Sequence, residues 1–303
     1  MTPLATMTRH GRTFRLAVRV LQPSLLRDVA ELYAFCRTVD DLADQTTEHA
    51  DARIKLLALR RAILDGEMAH PVAAGFLGVA LRHQLDAAHA VHLIDTMIGD
   101  LGPVRMADAG ALLRYAHGAA GTVGLLMCRM LGATDPRAAP HALDLGIAMQ
   151  LTNIARDVAA DAQSDRFYVP ASWLPSARLG DPEHVYRAVI QVLDLAELYY
   201  RSGRKGLGYL PWRSRLAVGA AASVYREIGQ TIRRTGPAFL NLPRCVVPQR
   251  TRLWLLAGSF PVSAISLRCA RHDPYLHAAI SRGPIGGSGL QEPAYSGTDA
   301  AMA

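Results

Sequence analysis

The sequence predicts an all-α fold in a single main domain, and three observations carry that expectation. Half of the 303 residues are hydrophobic, enough to build a sizeable core without disulfides or a structural metal. Ala, Leu and Arg are abundant, all of them good helix formers, while alternation of the strand type is nearly absent. No Pro- or Gly-rich linker divides the chain into halves, and no repeat period is visible. Residues 1–282 are therefore read as one domain and 283–303 as a tail.

The elements follow from punctuation. Pro23 opens the first expected helix, 24–43, and a second, 52–64, stops at Gly66. Further helices are expected over 75–85, 89–99 and 107–131. Asp135-Pro136 or Pro140 marks the start of the next, 140–162. Gly180-Asp181-Pro182 then interrupts the pattern before helices over 183–203, 210–235 and 248–267. From Gly283 the chain is small, polar and Gly-rich, and disorder is expected there.

Composition limits the partners. The net charge of +7 favours an anion: a nucleic acid, an acidic lipid or a phosphorylated small molecule. The arginines are dispersed without a zinc-finger or RNP-like motif, so nucleic acid is not expected; a plain solvated surface is the ordinary alternative. The four cysteines (Cys36, Cys128, Cys245, Cys269) form no CxxC pair, which fits a reducing compartment and argues against a zinc ribbon. The uncharged run 253–267 contains Pro261 and is too short to span a bilayer. Residues 1–27 are basic, with Arg9, Arg12, Arg15, Arg19 and Arg27 and no acid, but lack the Ser-rich composition of a transit peptide. A mature cytoplasmic start is the expectation.

Two acidic clusters carry the chemistry. In Tyr33-Ala-Phe-Cys-Arg37-Thr-Val-Asp40-Asp41-Leu-Ala-Asp44, Asp40 and Asp44 lie one helical turn apart with Asp41 beside them. Like charges at that spacing destabilise an isolated helix, so the arrangement asks for a cation. Hard carboxylate oxygens facing one way suit Mg²⁺ together with phosphate oxygens, and Arg37 is placed to meet the same phosphates. An acidic solvated face is the alternative for this cluster taken alone.

In the second cluster Asn153, Asp157 and Asp161 fall at i, i+4 and i+8, with Gln150 one turn earlier. Leu151, Ile154, Ala155 and Val158 run alongside, and a polar stripe flanked by apolar residues is better explained by a metal-lined cavity than by open solvent. Two such helices facing each other make a bowl. There a cation can bridge both walls to a diphosphate, with Arg37, Arg156 and Arg166 around it.

The stretch Tyr115-Ala-His117-Gly118-Ala-Ala-Gly121-Thr-Val-Gly124 looks helical yet carries three glycines, each costing about 1 kcal/mol relative to Ala. Close helix packing is the ordinary reading; a smooth wall for a long apolar chain is the functional one.

At these residues the chain resembles the squalene/phytoene synthase family, over 10–267. YAFCRTVDDLAD resembles the family's first aspartate-rich motif, MQLTNIARDVAADAQSDRFYVP its second, and YAHGAAGTVGLLM its glycine-bearing helix. HGRTF at 10–14 resembles its short N-terminal diphosphate-contacting motif. The resemblance implies an isoprenoid-synthase helical bundle with a central cavity. It implies Asp40, Asp44, Asn153, Asp157 and Asp161 around Mg²⁺ (Mn²⁺ as a substitute), and Arg12, Arg37, Arg156 and Arg166 on diphosphates. Gln150, Tyr33, Tyr115 and Tyr225 are implied in the cavity, with Gly121 and Gly124 against the prenyl chain. Gly11 stands where the family often has Ser, and Ala160 where a Glu commonly precedes the last Asp, leaving open a weaker metal affinity or an altered substrate.

The reaction implied is head-to-head condensation of two geranylgeranyl diphosphates to phytoene, by way of prephytoene diphosphate, with no nicotinamide cofactor. The alternatives are a farnesyl diphosphate-using presqualene diphosphate, squalene or dehydrosqualene synthase, and a non-catalytic helical or lipid-binding relative. A product so apolar implies peripheral contact at the inner face of a membrane. Chain length of the substrate and oligomeric state stay open.

Overall fold

A computed structural model describes residues 20–44, 49–174, 181–242, 247–252 and 271–281, together with residues 3, 4, 7, 245, 254, 255 and 258. Its helices are α1 (Pro23–Asp44), α2 (His49–Leu64), α3 (Pro71–His83), α4 (Ala87–Gly99), α5 (Ala109–Ala116), α6 (Thr122–Met130), α7 (Ala138–Gln163), α8 (Pro182–Lys205), α9 (Trp212–Thr235) and α10 (Ala278–Ser281). The expected helix 248–267 is helical at 249–252; most of the rest, like the tail from 283, lies outside the described residues.

Local chemistry accounts for the boundaries. Asp86, Asp108 and Asp181 each accept a backbone N–H of the first turn of α4, α5 and α8, the standard remedy for unpaired helix-start donors. Pro71 and Pro182 open α3 and α8 at positions that lack an intrahelical N–H bond. Gly66 follows α2 at φ +67°, as its stop position predicts. Asp135 Oδ1 takes the Arg137 N–H at 2.9 Å, so the turn at 135–137 launches α7 at Ala138, two residues before Pro140.

One expectation needs correction. The helix read over 107–131 is two helices joined by a π-turn, His117–Gly121. Its wide turn brings the backbone against α4: a Cβ on Gly118 would lie 2.0 Å from Thr96 Oγ1. A second departure is a two-stranded parallel pair, β1 (Val104–Arg105) with β2 (Arg166–Phe167), Val104 beside Arg166 and Arg105 beside Phe167.

α7 is the central element, packed along α8 and against α6, α9 and the π-turn. Buried residues of α1–α4 and α6 form one core, including Leu32, Phe35, Leu56, Phe76 and Ile94. Those of α5 and α7–α9 form another, including Leu112, Leu151, Val192, Tyr199 and Ile232; Tyr115 and Val218 pack against both.

Candidate active site

Between the two cores runs a cavity of about 270 Å³. One stripe of α1 lines it (Val29, Tyr33, Cys36, Asp40), as does one of α7 (Ala142, Leu145, Met149, Gln150, Asn153); α6 adds Val123 and Met127, and α9 adds Ala217, Ala221 and Tyr225. Leu131, Ala138, Leu207 and Leu210 line it as well, beside the N-terminal end of α7. The polar lining residues Asp40 and Asn153 come toward the C-terminal ends of α1 and α7.

Those two C-terminal ends meet. Arg166, just past α7, donates to Asp44 Oδ1 at 2.5 Å and to the Ala43 carbonyl at 3.1 Å. The β1–β2 pair holds Arg166 there, anchored by Val104 N–H to Asp165 O (3.2 Å) and by Arg105 to the Asp165 carboxylate. Asp165 itself takes φ +57°, a left-handed turn that Asp tolerates, and this reverses the chain out of α7. Both helix dipoles point negative ends at the same mouth, where carboxylates are unfavourable and cations are favoured.

The electrostatics record that crowding. Burial first, then neighbouring Asp44, pushes the Asp40 carboxyl up to about 7. Burial first, then Asp157, pushes Asp161 up to about 7, with Asp44 and Asp100 adding to the rise and Arg166 opposing it. Carboxylates from α1 and α7 therefore share one field. Arg156 holds Asp157 through two bonds of 2.8 and 2.5 Å, and Arg37 pairs with Asp41. Burial first, then the Tyr225 hydroxyl, pushes Tyr33 up to about 12.

The donor set fits a hard divalent cation. Asn153 Oδ1 is buried with no hydrogen-bond partner, as is Arg37 Nε; an orphaned oxygen beside carboxylates is the acceptor such an ion satisfies. The aspartate oxygens do not by themselves converge on one point: among the described residues, the group of three metal-competent side chains within 4.8 Å of one another is Asp144, His272 and His277. Diphosphate oxygens and water would have to complete the coordination at the mouth, as Mg²⁺ habitually requires.

Some predicted residues sit elsewhere than expected. Tyr115 does not line the cavity: its hydroxyl donates to Asp100 Oδ2 at 3.0 Å and its ring stacks on Tyr168 at 4.7 Å. Gly121 is likewise absent from the lining, because it faces Leu143 Cδ1, 2.6 Å from where its Cβ would stand. Gly124 lines the cavity, yet its missing Cβ would also lie 2.3 Å from the Ala142 carbonyl, so helix packing accounts for the glycine at both positions. Arg12 lies outside the described residues.

Sequence reasoning missed Asp100 and Tyr168. Asp100 is 4% exposed and accepts hydroxyl bonds from Tyr168 (2.6 Å) and Tyr115. Burial raises its carboxyl above the usual range in spite of those two bonds and nearby Arg166. The available signal was an acid at a helix C-terminus, which opposes the dipole.

The family model for squalene/phytoene synthase matches residues 7–251. The chain belongs to the squalene/phytoene synthase family. A phytoene synthase from Pseudescherichia vulneris is 38% identical over 252 residues, covering 76% of this chain and 81% of that protein. A 15-cis-phytoene synthase from a Paracoccus strain is 36% identical over 253 residues, covering 78% and 83%. Among solved structures, a dehydrosqualene synthase with bound ligand superposes with a TM-score of 0.77 at 23% identity, covering 86% of this chain and 94% of that one. A squalene synthase from Alicyclobacillus acidocaldarius gives 0.67 at 23%, covering 77% and 94%. These structural likenesses speak to the fold: this family member is a helical isoprenoid-synthase bundle.

Proposed function

We propose that the chain condenses two geranylgeranyl diphosphates head to head, through a cyclopropyl diphosphate, to phytoene. The observation that carries the reading is an apolar cavity whose polar end carries Asp40 of α1 and Asn153 of α7, next to aspartates of both helices that share one electrostatic field. Relatives bearing the name phytoene synthase, at 36–38% identity over most of the chain, support the substrate choice.

Asp40, Asp44, Asn153, Asp157 and Asp161 hold Mg²⁺ in this reading. When bound, Mg²⁺ neutralises diphosphate charge and makes diphosphate a better leaving group. Arg156 and Arg166, now paired with Asp157 and Asp44, and Arg37, now paired with Asp41, would meet the phosphate oxygens, with Arg12 joining them. Gln150 orients the polar head at the rim. Tyr33 and Tyr225 present ring faces to the allylic cation left after the first ionisation. The second substrate's double bond attacks that cation, and a second ionisation and rearrangement end in proton loss. The apolar walls of α1, α6, α7 and α9 keep water from capturing the cations. No described helix is long and apolar enough to cross a membrane, so release of so apolar a product is assigned to peripheral contact with a lipid surface.

Purified protein with Mg²⁺, geranylgeranyl diphosphate and detergent, without a nicotinamide cofactor, is expected to release phytoene. Much faster consumption of farnesyl diphosphate, giving a thirty-carbon product, overturns the substrate assignment and leaves the carboxylate site standing. No turnover of either substrate with intact helix content sinks the enzymatic reading.

A further inference from the structure

Behind the cavity wall, the segment 271–281 returns to α7 and closes on Asp144. Asp144 sits on the face of α7 away from the cavity, and its side chain is 0% exposed. Each of its oxygens meets an imidazole: Oδ2 lies 2.8 Å from His272 Nε2 and Oδ1 lies 2.7 Å from His277 Nε2. One ligand atom from each of the three residues falls within 4.8 Å of the other two. The cluster shares no residue with the aspartate stripes, and Asp144 precedes Asn153 by roughly 14 Å along the axis at 1.5 Å per residue.

We propose that Asp144, His272 and His277 form a binding site for a divalent transition-metal ion of the zinc class, which staples the segment 271–281 to α7. Two imidazole nitrogens and one carboxylate are a donor set of borderline softness, suited to zinc and poorly suited to Mg²⁺, which seeks oxygen. With its proton on Nδ1 each imidazole offers Nε2 to the ion, so the two hydrogen bonds to Asp144 are exchanged for metal bonds. A buried carboxylate also gains a full counter-charge. Three protein ligands leave a fourth position for water.

Outer contacts hold the segment that carries the two histidines against α7 and its neighbours. His141 packs edge-on against His272 at 5.2 Å and is itself anchored by Nδ1 to the Ser202 carbonyl at 2.8 Å. Tyr199 donates to the Leu276 carbonyl at 2.7 Å, and Asp273 accepts the Tyr275 N–H at 3.0 Å. Ligand spacing in the sequence gave no hint, since Asp144 and His272 come together only through tertiary packing.

The test uses the full chain, stripped with chelator and then held in excess Mg²⁺ to occupy the aspartate stripes. Calorimetric titration with Zn²⁺ is expected to show one equivalent bound. Co²⁺ in its place is expected to give the intense visible bands of a tetrahedral nitrogen- and oxygen-ligated ion. His272→Gln and His277→Gln should each lose the bands and weaken zinc binding by at least tenfold, with helix content unchanged. Zinc should also slow tryptic cleavage after exposed Arg271 in the wild type but in neither variant. Absence of stoichiometric zinc binding by the wild type overturns the proposal and leaves a hydrogen-bonded clasp. Zinc binding that both variants retain overturns it too, by placing the ion elsewhere. If the variants fail to fold, the wild-type cobalt spectrum decides, and weak octahedral bands alone count against the site.

Discussion

At the scale of single residues, the carboxylates of the mouth are crowded together, a repulsion that the proposed cation would relieve. Asp40 and Asp161 hold their protons up to about 7, against about 4 for a free aspartate, because each is buried beside another carboxylate. Asp40→Asn and Asp157→Asn should each lower turnover roughly 100-fold or more while leaving helix content unchanged. Steady-state kinetics with circular dichroism on the same samples checks this, and full activity in excess chelator would sink the metal reading altogether. Asp100 plays a different part. It accepts hydroxyls from Tyr115 and Tyr168, whose rings stack, and so fixes both phenols beneath the acidic mouth. Asp100→Ala removes the acceptor that both hydroxyls use; because Tyr115 and Tyr168 also hydrogen-bond each other, one hydroxyl is left without an acceptor, a loss of about 1–3 kcal/mol. Asp100→Asn keeps an acceptor oxygen and should lose less. Denaturant unfolding of the pair of variants measures the difference, and equal stability of both would show that the tyrosines find other partners.

At the scale of elements, the helices that carry the site were legible because their signals are local. The i, i+4, i+8 stripe on α7 and the one-turn pair on α1 depend only on helix periodicity; Asp40 and Asn153 line the cavity, and Asp44, Asp157 and Asp161 share one field beside it. What escaped was set by partners far along the chain. Arg166 reaches Asp44 because β2 pairs with β1, sixty residues earlier, and a two-residue pair leaves no pattern in the sequence. The family resemblance implies Tyr115 in the cavity, and nothing in its sequence neighbourhood announces Asp100. The glycines were visible, but which surface they face was not: the π-turn and α7 cross so closely that a Cβ on Gly146 would lie 2.2 Å from the Ala120 carbonyl. Gly146→Ala must therefore move backbone, and a destabilisation of about 1–3 kcal/mol is expected. Gly219→Ala on α9 is the control. Its Cβ would meet Leu207 Cδ1 at an ordinary 3.6 Å, so helix propensity should stabilise the fold by up to about 1 kcal/mol. The same effect at both sites, read from urea midpoints, would mean that the crossing of α7 and the π-turn is not the tight contact.

At the scale of the whole molecule, a chain with net charge +7 concentrates acid at one mouth, so its stability should depend on pH and on cation together. The sign follows from proton uptake. Asp40 and Asp161 are protonated near 7 in the folded chain and near 4 in the unfolded one. The stability they contribute is therefore fully present below about 4 and is lost as pH rises through 7. Lowering pH from 8 to 6.5 should raise the melting temperature of the metal-free protein. Below 6.5 the histidines act in the opposite direction: burial holds His117 down to about 4, so the unfolded chain takes up that proton first and the fold loses stability. This opposing contribution already begins within 6.5 to 8, so the comparison of wild type with Asp161→Asn across that window isolates the carboxyl part. On the proposed reading Mg²⁺ would take the place of the protons, and its stabilisation would follow RT ln(1 + [Mg²⁺]/Kd), with Kd weakening as protons compete. The upward shift in melting temperature on adding Mg²⁺ should then be largest at pH 8 and shrink toward 6.5. Asp161→Asn removes one of the two titrating groups and should flatten both dependences. Differential scanning calorimetry across that window, with and without Mg²⁺, reads all of these shifts. A cation effect that does not change with pH, or a metal-free protein that melts lower at 6.5 than at 8, would mean that these two carboxyls are not where the ion binds.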